Sequence, residues 1–209
     1  MKLYEIICPV LMHVEQLGAA IDVSIKAPTK MSRVDRFEFD FGLNMPDSIR
    51  QFYTDVADGL TIAWHIDDYA LQGRIEIASL KELRLFRERW LSGDRGPKPE
   101  SKYFDDIGAA LTVWERMANW IPIWDEGNGD LGCIDTNTGQ VVYHAHDWWA
   151  PTGNNGNPIE ANILSLIENW SRVSFAYTPD RSWRAITSPF RDAVDWGADD
   201  FDPRCRVIS

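Results

Sequence analysis

The sequence has few cysteines, little positive charge and no long apolar run. Its three cysteines, Cys8, Cys133 and Cys205, are odd in number and lack the CxxC spacing of a metal or redox motif. Free thiols of this kind are typical of a reducing cytoplasm, because disulfide frameworks belong to oxidising compartments. No window approaches the roughly 20 apolar residues of a membrane helix, and the first 20 residues lack the pattern of a signal peptide. We therefore expect a cytoplasmic protein.

Basic residues are scarce relative to acidic ones. The 209 residues include 21 Lys and Arg but 32 Asp and Glu, which gives a formal charge of −11. Such a chain repels phosphate backbones and anionic lipid headgroups, so nucleic acid and membranes are disfavoured as partners. It attracts a basic protein over long range, because complementary net charge raises association rates.

Tryptophan is the residue in excess, with ten in the chain. Most of these indoles should lie in a core, because burying one removes a large area from water. Others stand beside acidic residues in turn-like segments, namely Trp124-Asp125-Glu126 and Asp147-Trp148-Trp149. Aromatic side chains beside charges are typical of protein interfaces. Packing at the rim of the core explains the same pattern.

Hydrophobic periodicity and capping residues predict several helices. One begins at Met45-Pro46-Asp47 and ends at Asp58-Gly59, and another begins at Ser79, which has capping-box spacing to Glu82. A third carries an apolar face that includes Ile107 and Trp114. We expect a last helix to begin at Asn157-Pro158, with apolar positions from Ile159 to Trp170.

Strand signals are short and lie in three places. Residues 3–8 suggest an opening strand, and residues 62–66 and 74–78 suggest a pair that bends near Gly73. The strongest pair is 130–135 with 140–145, joined by a turn at 136–139 whose Gly139 allows positive φ. Strand alternation predicts two apolar faces for this pair: Leu131, Cys133, Val141 and Tyr143 on one, and Ile134 and Val142 on the other.

The segment after Trp124 imitates two binding loops. Residues 127–132 match G-x-G-x-x-G, but a dinucleotide site needs a helix after that loop, and here a hairpin follows. Residues 125–130 crowd acidic residues and glycines as a calcium loop does. An EF-hand needs a bidentate Glu at the twelfth position, where Thr136 stands. Neither cofactor is predicted.

His144 and His146 are the best candidates for metal ligands. Two residues apart on a strand, they project to the same side, with Asp147 adjacent. With His65 or His13 they could complete a zinc or iron site; a hydrogen-bonded or solvated pair at a strand end is the alternative. Cys133 has no nucleophile signature around it, and neighbouring carboxylates in an acidic chain are mostly solvated surface. We expect no catalytic residue, no cofactor and no metal.

Several short motifs, taken in order, resemble the SUKH superfamily, which includes fungal cell-wall-synthesis regulators and many bacterial immunity proteins. They are the helix at 45–53, the Asp58-Gly59 turn, the 121–130 run, Ile134-Asp135 and the strand at 139–143. The resemblance covers about residues 34–175, and the acidic segment 176–209 extends beyond it. It implies a single α+β domain with a curved, mostly antiparallel sheet, helices packed on one side and no catalytic role.

The resemblance also implies a protein partner. Bacterial members of this kind typically neutralise a cognate toxin by binding it in the cytoplasm. We therefore expect an immunity protein that binds a basic toxin through acidic and aromatic side chains near the sheet edge. A regulatory scaffold without a toxin, or a metalloenzyme using His144 and His146, are the alternatives. The candidate toxin-binding residues are Asp67, Asp68, Trp124, Asp125, Glu126, Asp147, Trp148 and Trp149.

Overall fold

The fold was analysed in a computed structural model. It describes residues 3–66, 71–100, 102, 106–125, 129–145, 156, 158–176 and 203–207. The α-helices in these ranges are α1 (Leu3–Gln16), α2 (Met31–Phe41), α3 (Asp47–Gln51), α4 (Leu80–Arg89), α5 (Ile107–Arg116) and α6 (Ile163–Ser171). The strands are β1 (Ala20–Ile25), β2 (Leu60–Ile66), β3 (Leu71–Ile77), β4 (Trp120–Asp125), β5 (Leu131–Asp135), β6 (Val141–His144) and β7 (Pro158–Glu160).

The chain opens with a helix, so the predicted strand at residues 3–8 is wrong. Leu3, Ile6, Ile7, Val10 and Val14 are all buried on one face of α1. Their spacing of three and four residues is helical rather than alternating. The short window that suggested a strand covered only the first two turns of this pattern.

The first three strands form an antiparallel sheet in the order β1-β2-β3. Gly73 lies inside β3, directly opposite Trp64 on β2, so the predicted bend at this glycine is wrong. A side chain at position 73 would collide with the Trp64 indole and with the Ser174 carbonyl. The glycine is therefore required by close packing across the strands rather than by a turn.

The helix predicted from Met45 is confirmed as α3 and a continuing π-helical turn, Phe52–Val56. The predicted stop at Asp58-Gly59 holds, since Gly59 has a φ of +92° before β2 begins. The capping box is also confirmed, because Ser79 Oγ accepts from the Glu82 N–H and Glu82 Oε2 accepts from the Ser79 N–H. Both helix starts were therefore readable from local chemistry.

The other strands form a second antiparallel sheet in the order β4-β5-β6-β7. The predicted hairpin is confirmed as β5 and β6, with Gly139 at a φ of +77°. The predicted faces are wrong: Cys133 pairs with Val142, and Ile134 pairs with Val141. Leu131, Cys133 and Val142 consequently share one face, because directly opposite residues point to the same side.

The last helix begins later than predicted. Asn162 is its cap, with its side-chain oxygen accepting from the Ser165 N–H at 3.0 Å. Pro158–Glu160 forms strand β7 at the edge of the second sheet instead of a first helical turn, and Asn157 lies outside the described residues. A proline on an edge strand costs no ladder hydrogen bond when its nitrogen faces away from the neighbouring strand.

Two clusters of buried residues hold the fold together. The larger joins α1, α2, α3 and α6 to both sheets. The smaller lies on the opposite face of the second sheet, where Leu131, Cys133 and Val142 meet Trp90, Met117 and Trp120. The α+β class with antiparallel strands is confirmed, although the strands form two sheets and the second is covered on both faces.

Ala78 connects the two sheets. Its N–H donates to Ile123 O at 2.8 Å, which links the end of β3 to the middle of β4. Its carbonyl accepts from Tyr53 Oη at 2.8 Å, and burial raises the pKa of that phenol well above its ordinary value. The backbone of this one residue therefore contacts the second sheet on one side and the π-helical turn on the other.

Residues 203–207 pack beside α1 and the end of α6. The Val207 N–H donates to Arg172 O, and the buried Ser174 Oγ donates to Cys205 O at 2.7 Å. His13 Nε2 lies 2.8 Å from Arg204 O, and Cys205 is fully buried. This part of the predicted extension is anchored beside α1 and α6.

Candidate functional site

Six of the eight predicted toxin-binding residues lie on or follow β4 and β6 of the second sheet, whereas Asp67 and Asp68 follow β2 of the first sheet. In the second sheet Asp125 pairs with Leu131, and Leu131 pairs with His144, so the ends of β4 and β6 flank the start of β5. We call this the open end of the second sheet. Of the eight candidate residues, Trp124 and Asp125 are described, whereas Asp67, Asp68, Glu126, Asp147, Trp148 and Trp149 lie outside the described residues.

Trp124 lies in the core and offers little surface to a partner. Its side chain is 4% exposed and covers Gly132 on β5, where even a β-carbon would overlap the ring. Its ring centroid is 6.2 Å from that of Trp170 on α6. Trp124, whose acidic neighbours suggested an interface residue, therefore packs in the core. Trp64 covers Gly73 in the same way in the first sheet.

Asp125 is the last residue of β4 and is exposed. It directly follows the buried Trp124 and is the one residue of β4 that is exposed. Among the described candidates it is the one whose side chain reaches solvent, so it is the best described contact point for a basic partner.

Asp130 stabilises the entry to the hairpin. Its Oδ2 accepts from Tyr143 Oη at 2.6 Å. Both residues are buried, and a short bond from a hydroxyl to a carboxylate is among the stronger hydrogen bonds. Gly132, the last glycine of the G-x-G-x-x-G match, lies inside β5 rather than before a helix.

His144 is buried in the smaller core cluster. It is 1% exposed, and its ring meets that of Trp90 edge-on, with the centroids 4.8 Å apart. His13 is on α1 and His65 on β2, and His146 lies outside the described residues. Within the described ranges, no three His, Cys, Asp or Glu side chains are grouped so that they could hold a metal ion.

The cysteine in β5 has an inert environment. Cys133 is fully buried, and this burial raises the pKa of its thiol well above the ordinary value. Because the thiolate is the nucleophile, a thiol in this state is a poor attacking group.

A buried arginine was not predicted. Arg87 on α4 is 4% exposed and donates from its two terminal nitrogens to Trp120 O at 2.6 Å and Ala118 O at 2.7 Å. Burial lowers its pKa to about 10. Its position four residues after Leu83 places it on the apolar face of the helix, a signal that the sequence does contain.

The cations of α2 and α4 form a second surface feature. A groove of about 460 Å³ between these helices is lined by Arg33, Arg36, Lys81 and Arg84, with Phe37 and Leu80 also present. Asp40 pairs with both Arg36 at 2.8 Å and Arg84 at 2.7 Å, and these arginines hold its pKa below the ordinary value. We call this the basic groove.

Comparison with protein families identifies the domain. The model of the SMI1 / KNR4 family (SUKH-1) matches residues 28–168, which is well over half of the chain. The chain belongs to this family. No curated protein sequence matches it. The SUKH-1 match begins after β1, so α1 and β1 precede the part of the chain that the family model covers.

SUKH-1 membership agrees with the fold and with the motifs that suggested it. The match includes Asp58-Gly59, the β5–β6 hairpin and most of α6. SUKH-1 is not a known enzyme family, and membership is consistent with a role like that of immunity proteins. In the described ranges, no helix is both long and apolar enough to cross a bilayer.

Proposed function

We propose that this SUKH-1 protein binds and neutralises a cognate bacterial toxin in the cytoplasm. The observation that carries the proposal is the family match over residues 28–168. The geometry is compatible with binding rather than chemistry, since His144 and Cys133 are both buried. Neither side chain is presented to a substrate.

Charge distribution supports a basic toxin that binds at the open end of the second sheet. The chain has a formal charge of −11, yet four of its cations line the basic groove. Asp40 and Asp58 pair with three of these cations, but the groove still holds more positive than negative side chains, so it is a less favourable site for a basic partner than an acidic surface. Asp125 is exposed at the open end. Glu126 follows it directly, and Asp147-Trp148-Trp149 follow shortly after the end of β6.

The test is co-expression with the product of the adjacent upstream gene. Growth should be rescued by the wild-type chain, and the two proteins should purify as a complex. Asp125→Lys should weaken that complex about tenfold or more, since like charges placed against a basic surface repel. Higher salt should weaken the wild-type complex, because screening reduces attraction between opposite charges.

Asp47→Lys is the matched control. Asp47 is exposed at the start of α3, and its sequence neighbours Pro46 and Ser48 lie beside Gly139 in the β5–β6 turn. This turn is at the opposite end of the second sheet from Asp125, so the same charge reversal there should change affinity less than about twofold. Equal effects of both reversals would exclude the open end as the contact surface.

The alternative function is that of a regulatory scaffold protein that has no toxin partner. If the neighbouring genes encode no toxin, and no candidate gives either growth rescue or a complex, toxin neutralisation is wrong.

A further inference from the structure

Strand β1 presents an unpaired edge. It is the outer strand of the order β1-β2-β3, and no strand in the described ranges pairs with its other side. The Lys26 N–H donates to Gly59 O and Lys26 O accepts from the Asp58 N–H, both at 3.1 Å, so Lys26 directs its backbone groups toward β2. Because these directions alternate along a strand, Ile21, Val23 and Ile25 direct theirs toward the open side.

Two of these residues, Ile21 and Val23, leave apolar surface uncovered. Ile21 lies opposite Trp64, and Val23 lies opposite Ile62, so their side chains share the core face of the sheet. Trp64 is 2% exposed and Ile62 is fully buried, whereas Ile21 and Val23 are 37% and 40% exposed. The helical layer therefore covers β2 but ends before it covers β1.

Nothing in the strand protects this edge. Natural edge strands commonly carry lysine, proline or a bulge that prevents pairing with another chain. Residues 20–25 contain neither lysine nor proline, and their register with β2 is regular. The strand also precedes the family match at residues 28–168, so it is not part of the matched SUKH-1 region.

We propose that β1 pairs antiparallel with β1 of a second copy of this chain, with Val23 opposite Val23. In this register Ile21 of each copy lies opposite Ile25 of the other. All six backbone groups on the open side of each strand then find partners. The two sheets become one six-stranded sheet, and the exposed apolar side chains meet across the symmetry axis.

Charge selects this register. It places Asp22 opposite Ser24 of the second copy, where the hydroxyl can donate to the carboxylate. A shift that puts Ile21 opposite Val23 would place Asp22 directly against Asp22, which is destabilising. The edge itself is close to neutral, since Lys26 lies four residues after Asp22, and the repulsion between two chains of −11 falls with salt.

The dimer should be weak and reversible. A pair of six-residue strands buries less than the roughly 800 Å² per partner of a standard interface. Sedimentation velocity from about 5 to about 500 µM should show the mean mass rise from 23.9 kDa toward twice that value. The association should strengthen from about 0.05 to about 0.5 M salt, as repulsion is screened. A mass that stays at 23.9 kDa under all these conditions would overturn the proposal.

Two opposite substitutions at Ser24 test the register. In the symmetric dimer each copy places position 24 opposite Asp22 of the other, so Ser24→Lys creates two opposite-charge pairs and should strengthen association about twofold to thirtyfold. Ser24→Glu creates two like-charge pairs and should weaken association over a similar range. Equal responses to the two would place the interface elsewhere.

Val23→Lys should abolish the dimer, because an inward-pointing lysine blocks an edge. Leu85→Lys on α4, where Leu85 is 52% exposed, is the matched control and should not change it. Circular dichroism checks that each variant folds. If Val23→Lys does not fold, the two Ser24 substitutions still decide whether β1 forms the interface. A folded Val23→Lys variant that dimerises like the wild type would exclude β1.

Discussion

Replacing Gly73 by alanine places a methyl group where the Trp64 indole already lies. The new carbon would be 2.6 Å from Ser174 O and inside the contact distance of the ring. The indole must move, and the bond from Trp64 Nε1 to Ser174 O at 2.6 Å would break. Overpacking a core costs about 1–3 kcal/mol, and a buried carbonyl that loses its donor costs about 1–3 kcal/mol.

The expected loss of unfolding free energy is therefore about 2–6 kcal/mol, a large part of the roughly 5–15 kcal/mol of a typical domain. For a chain of this length it corresponds to a fall in melting temperature of about 4–24 °C. Urea unfolding followed by tryptophan fluorescence measures the loss, and calorimetry measures the melting temperature. A variant within about 0.5 kcal/mol of wild type would refute the packing argument.

Gly93→Ala is the matched control, because a β-carbon at Gly93 meets nothing within 4 Å and the residue lacks a left-handed φ. It should change stability by less than about 0.5 kcal/mol. Trp64→Phe combined with Gly73→Ala supplies the second check. The smaller ring leaves room for the methyl group, so the double variant should lose less than the sum of the two single losses.

Two further substitutions test single hydrogen bonds. Tyr53→Phe should cost about 1–3 kcal/mol in urea unfolding, because it removes the donor to the buried Ala78 carbonyl. Glu82→Gln should cost about 0.5–1.5 kcal/mol at pH 7. Burial opposes ionisation of Glu82, but its hydrogen bonds from Ser79 and its contact with Lys26 outweigh this and lower its pKa from the ordinary value. A carboxyl whose pKa is lower in the fold than in the unfolded chain stabilises the fold at pH values above its unfolded pKa. It loses that contribution as the pH falls through its pKa in the fold. The difference between Glu82→Gln and wild type should therefore shrink below about pH 4.5, and a constant difference from pH 7 to 3 would contradict this reasoning.

The elements that the sequence predicted correctly are those with local chemistry. The Ser79 box needs only residues three apart, and the Gly139 turn needs only a glycine between two apolar runs. The register of the hairpin was mispredicted because it depends on which residues pair across the turn. Pairing Ile134 with Val141 moves Val141 and Tyr143 away from Cys133 to the other face.

The candidate site was less readable because burial is a property of the whole fold. Trp124 beside an acidic pair is typical of an interface, yet Gly132 on the neighbouring strand leaves room for its indole in the core. The Trp64 and Gly73 pair repeats this arrangement in the first sheet, and neither pairing is visible without the strand register. The exposed edge of β1 was not predicted for the same reason, since its place at the edge depends on its pairing with β2.

The backbone hydrogen bond of Ala78 to the second sheet has a consequence for how the fold can open. In the described ranges, the hydrogen bond from the Ala78 N–H to Ile123 O is the backbone bond that spans the two sheets. Amide exchange at Ala78 with deuterated solvent therefore requires that bond to break. If the sheets separate before either one unfolds, this amide exchanges faster than those inside β2 and β5; if they unfold together, all exchange at the global rate.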